Sequence, residues 1–142
     1  MNQNKNQLTT TIGTGVALKN ASKSLKITNK LLAEVDDFEK HWKWWNGLND
    51  EWKETLLFSQ GMDYDEILTF DCSDKILIKN ILSNLFITDE LTLISPPDFE
   101  PLPYFSQLKS LDVFYNDVCD ISPLEKLVNL QSLWIDFGSI KD

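Results

Sequence analysis

At 142 residues and 42% hydrophobic, the chain is long enough for one buried core and too short for two comfortable ones. It carries a net charge of -9 and contains no arginine, the residue best suited to bidentate phosphate and base contacts, so a nucleic-acid partner is not expected. No stretch is apolar enough to span a bilayer and "TTTIGTGVAL" lacks the continuity of a signal peptide, so reducing cytoplasm is the simplest compartment, with a non-classical export route left open.

The charge is unevenly spread. Residues 1–33 hold five lysines and no acid, whereas residues 34–142 hold eight lysines against 22 acids. Residues 1–15, "MNQNKNQLTTTIGTG", are polar and glycine-containing, and are expected to form a disordered tail. Residues 16–34 read as an amphipathic helix: Leu18, Ala21, Leu25 and Leu32 share one face, and Lys19, Lys23, Lys26 and Lys30 stripe the opposite one. Two readings stand for that helix. Either it docks with its lysines solvated, or it addresses the chain to a partner protein or an anionic membrane surface.

Residues 35–62 concentrate aromatic mass. Val35, Phe38, Trp42 and Trp45 step by three, four and three, which makes a helical stripe that Asn46-Gly47 should end. Asn49 can cap a second helix containing Trp52 and Leu56, with Asp50 and Glu51 suited to its first turn. Tryptophans beside lysines can stack on bases or sugars, but the stronger reading is a helical cap that covers the open apolar end of residues 63–142.

Residues 63–142 are periodic. Leu102, Phe105, Leu108, Leu111, Val113, Asn116, Val118 and Asp120 match Leu124, Leu127, Leu130, Leu133, Ile135, Gly138, Ile140 and Asp142 at a constant offset of 22 residues. The cores "LKSLDVFYNDV" and "LQSLWIDFGSI" fit L-x-x-L-x-L-x-x-N-x-L, with glycine in place of asparagine in the second. Leu91-Thr92-Leu93 and Leu68-Thr69-Phe70 carry fainter traces of the same strand, and the four prolines of "ISPPDFEPLPYF" favour an extended connection. Asn116 is expected to bond the backbone left unpaired by the bend after its strand, and Ser122-Pro123-Leu124-Glu125 reads as a capping box.

This pattern resembles the leucine-rich repeat family, in particular its bacterial, internalin-like 22-residue subclass. "WWNGLNDEWK" is similar to the helical segment that precedes the repeats in some bacterial members. The resemblance implies an α/β leucine-rich repeat solenoid of about four repeats, two clear and two degenerate, with parallel strands and a short 3₁₀, helical or extended outer wall. Its function would be protein–protein recognition on the concave sheet. The residues between the inward leucines would meet the partner: Thr69, Thr92, Asp112 and Trp134 in one column, with Asp71, Ile94, Phe114 and Asp136 beside it. The acids among them favour a basic protein partner.

The alternative function is an address-bearing subunit, targeted by the helix over 16–34. Leu133 and Ile135 are expected to lack a further strand beyond Asp142, so either the natural chain is longer or this edge associates end to end with another molecule. Catalysis is not expected. His41 is the only histidine, no phosphate loop, nucleophile elbow or metal spacing occurs, and no cofactor is implied. Cys72 and Cys119 are expected to be buried thiols rather than a disulfide.

Overall fold

Side-chain caps at Asn49, Asp63 and Asp74 set where three of the helices begin. The computed structural model describes the backbone of residues 3–137 and the side chains of residues 16–35 and 37–136. Two compact units are present, Met1–Lys40 and His41–Asp142. The first contains most of helix α1 (Gln3–Gly47), whose described side chains from Val16 to Val35 are all exposed. The tail expected over residues 1–15 falls on residues whose side chains lie outside the described set.

The second unit begins with the last turns of α1, and Asn49 then starts α2 (Asp50–Ser59) by accepting the Trp52 backbone N–H at 2.8 Å. Gly61, at φ +83°, ends it. The Gly61 and Met62 amides bond the carbonyls of Phe58 and Leu57 at 2.9 and 3.3 Å, a Schellman closure that requires the left-handed residue glycine supplies. Helix α3 (Tyr64–Thr69) opens with a reciprocal box: Asp63 accepts the Glu66 amide and Glu66 accepts the Asp63 amide, both at 2.9 Å. Asp74 caps α4 (Lys75–Leu85), whose Ile78, Leu82 and Leu85 are buried at helical spacing.

Three strands come next, β1 (Glu90–Ile94), β2 (Ser110–Asn116) and β3 (Ser132–Phe137), paired in parallel in the order β1-β2-β3. Leu91 lies beside Leu111 and Leu111 beside Leu133, so the chain advances 20 and then 22 residues per strand. Each crossover carries a 3₁₀ turn, at Leu102–Tyr104 and at Ser122–Lys126. One core serves the helices and the sheet of this unit. Trp45, Trp52, Leu56, Leu82 and Leu85 from the helices and Leu93, Phe105, Leu111 and Val113 from the sheet region are essentially inaccessible to water.

This architecture corrects the expected fold. Among the described residues there are four helices and one small three-stranded parallel sheet, not a solenoid of about four leucine-rich repeats. Of the two degenerate copies, Leu91-Thr92-Leu93 does form a strand, β1, but Leu68 and Thr69 end α3, because the Asp63–Glu66 box nucleates a helix where the faint apolar alternation suggested a strand. The capping box expected at Ser122 is also absent. The 3₁₀ turn there has no side-chain cap, and Asp120 instead accepts the Ser122 amide at 2.9 Å. The expectations on Gly138, Ile140 and Asp142 lie outside the described residues.

Candidate functional site

Strand alternation and parallel register together build one face. In β1 the side chains of Leu91 and Leu93 are buried, which turns Glu90, Thr92 and Ile94 outward. Register then sets Glu90 beside Ser110 and Ser132, Thr92 beside Asp112 and Trp134, and Ile94 beside Phe114. Trp134 keeps 62% of its surface exposed. The face therefore carries a polar row, a mixed row ending in an indole, and an apolar row.

Beyond Val113 the register between β2 and β3 shifts, so that Asn116 comes to lie beside Phe137. Asp136 lies two residues beyond Trp134 along β3 and is exposed, but it is not the register partner of Phe114. Leu133 has the inward phase and sits beside the buried Leu111, yet 47% of its surface is exposed. Among the described residues β3 is paired on one side only, which leaves this leucine partly uncovered.

The C-terminal ends of β1 and β2 are strained in the same way. Ser95 and Tyr115 come directly after the paired residues Ile94 and Phe114, and both adopt left-handed backbone, at φ +51° and +53°. For a bulky residue that conformation costs about 1 kcal/mol or more. Asn116 is buried, and its Oδ1 accepts the Val118 amide at 2.8 Å as the sequence suggests, whereas its Nδ2 has no hydrogen-bond partner.

Six of the eight residues expected to meet a partner lie on the sheet: Thr92, Ile94, Asp112, Phe114, Trp134 and Asp136. Thr69 and Asp71 do not. Thr69 is the last residue of α3 and its hydroxyl donates back to the Asp65 and Glu66 carbonyls, while Asp71 accepts from the Ser73 hydroxyl at 2.6 Å and the Ser73 amide at 2.9 Å. Those bonds, the hydroxyl first, hold the Asp71 carboxyl below the usual carboxylate range. Glu90, Ser110 and Ser132 complete the outward rows and were not expected; extending the alternation one residue pair towards the strand starts finds them.

Electrostatically the face is acidic, through Glu90, Asp112 and Asp136. Just before β1, Asp89 pairs with Lys109 at 3.1 Å, and the hydrogen bond from that lysine, then its charge, pulls the Asp89 carboxyl down. Asp120 is lowered by the Ser122 amide and hydroxyl. Both cysteines are free thiols, but Cys119 is exposed and Cys72 only half-buried, which corrects the expectation of two buried thiols; burial pushes the Cys72 thiol up.

Aromatic side chains make a second feature. Trp44 stacks on Tyr104 at 5.2 Å and meets Phe105 edge-on at 5.5 Å, and His41 lies flat on Phe86 at 3.8 Å. Beside them is an open groove of about 430 Å³, lined by Lys43, Trp44, Leu48, Glu100, Pro101 and Tyr104. Among the described residues, no three His, Cys, Asp or Glu side chains converge as a metal site would require, and no helix is long and apolar enough to cross a membrane. Comparison with protein-family models, curated proteins and solved structures finds no match.

Proposed function

We propose that the chain is a protein-recognition module whose partner docks on the outward face of the β1-β2-β3 sheet. The observation that carries this reading is Trp134, 62% exposed and in register with Asp112 and Thr92. A large aromatic held on a regular strand loses little conformational freedom on binding, and such residues commonly anchor interfaces. Ile94 and Phe114 extend the apolar contact, and Glu90, Asp112 and Asp136 rim it with negative charge that favours a basic partner.

The test is comparative. The intact chain and the Phe114→Ala plus Trp134→Ala variant are used in parallel as cross-linking baits in extract, and only a species that the intact chain captures and the variant loses counts as a partner of this face. Capture that is the same for both baits would move the site elsewhere, with the groove beside Trp44 and Tyr104 next in line.

A further inference from the structure

Every described side chain from Val16 to Val35 is exposed, including Leu18, Leu25 and Leu32 at 67%, 62% and 62%. A helix wet on all sides has no packing to support it, and most helical stability in proteins comes from packing an apolar face. The spacing indicates what covers this one. Leu18, Leu25 and Leu32 recur every seven residues, and Ala21, Thr28 and Val35 lie three residues after each, so six side chains form an a/d seam over three heptads.

Charge placement agrees with that seam. Lys19, Lys23, Lys26 and Lys30 fall only on b and f positions, the outermost of a two-helix coil, and Lys30 reaches Glu34 at 3.9 Å on that outer side. The flanking e and g positions between Leu18 and Val35 hold Ser22, Ser24, Asn29 and Leu31, so no like charges meet when two such helices pair. Ile27, on the outer side, is not covered by this arrangement.

We propose that residues 16–35 pair with the same segment of a second copy in a two-helix coil. Covering the six seam residues on both helices removes roughly 1,000 Å² from water, the lower limit for a specific interface, so the pairing is expected to be reversible. An anionic membrane surface fits the pattern less well. A helix lying on lipid buries bulky apolar groups along the whole of one face, and here Ala21 and Thr28 interrupt the leucines.

Sedimentation equilibrium of the full chain over a concentration series tests this. The expected result is a reversible rise from 16.4 kDa towards twice that mass, unchanged or strengthened by added salt. Leu25→Lys should raise the dissociation constant roughly tenfold or more, with Leu32→Asn as a second, milder seam variant, because each buries a polar group in the seam. Lys23→Gln plus Lys26→Gln should leave the constant unchanged, and near-ultraviolet dichroism of the buried tryptophans reports whether the second unit of each variant is folded. A chain that is monomeric at every concentration, a dimer indifferent to both seam variants, or a monomer that floats with phosphatidylserine vesicles and is released by salt would each overturn the proposal.

Discussion

The helical part of the second unit, residues 41–85, and its sheet, residues 90–137, use tryptophan in opposite ways. Trp45 and Trp52 are buried to 0% and 1% exposure, and each indole N–H has an acceptor, the Cys72 carbonyl at 3.2 Å and the Asp98 carboxylate at 2.9 Å. Trp134 stands on the outward face of β3, mostly in water. The same residue type is structural in one place and available in the other, and the difference lies in the neighbours that the backbone supplies. A helix end packed over a sheet can wrap an indole from several sides, whereas the outward phase of an edge strand cannot.

The largest effects are expected at the buried indoles. Trp45→Ala should destabilise the second unit by about 4 kcal/mol, since it leaves a large cavity and an unpaired Cys72 carbonyl, and Trp52→Ala should cost a similar amount. Trp42, half-buried with the Lys75 ammonium 5.8 Å from its ring centre, should cost less. Denaturant melts monitored by tryptophan fluorescence give these values, and an unchanged midpoint in Trp45→Ala would remove the structural role assigned to this end.

At the end of β2 the critical side chain is Asn116. Asn116→Ala removes the acceptor of the Val118 amide in a buried site, and about 1–2 kcal/mol of stability should go with it. Because Tyr115 already holds left-handed backbone next to it, the loss should appear first as faster amide exchange at Val118 rather than as a shift in the global midpoint.

Smaller effects come from the charges. Asp112→Asn should leave stability within about 0.5 kcal/mol and lower the salt sensitivity of association with a partner on this face. Asp71, Asp89 and Asp120 all have carboxyls lowered by folding. Groups depressed in the folded state contribute stability above the unfolded aspartate value of about 3.9 and lose it as pH falls through their folded values. Acid titration of Lys109→Ala should therefore give a shallower loss of stability below about pH 4 than the intact chain, because Asp89 no longer gains from folding.

Much of the sheet was legible in the sequence because the 22-residue offset directly sets Leu111 beside Leu133 and Asp112 beside Trp134. Asn49 as a helix cap was legible for the same kind of reason, a short-range rule with one partner. Residues 63–85 were not. Leu68-Thr69-Phe70 imitates a strand, and only the box between Asp63 and Glu66, three residues apart, shows that helix wins there. Extending a repeat through degenerate copies put Thr69 and Asp71 on a face they do not reach. The aromatic contacts of Trp44 with Tyr104 and Phe105 were also out of reach, since no pattern in the chain links positions some 60 residues apart.

Binding of each protein that the intact chain captures to Phe114→Ala plus Trp134→Ala, with the melting midpoint measured on the same samples, tests the assignment of recognition to the outward sheet face. Binding is expected to weaken by about 2 kcal/mol or more with the midpoint nearly unchanged. Full affinity in a correctly folded double variant would contradict it.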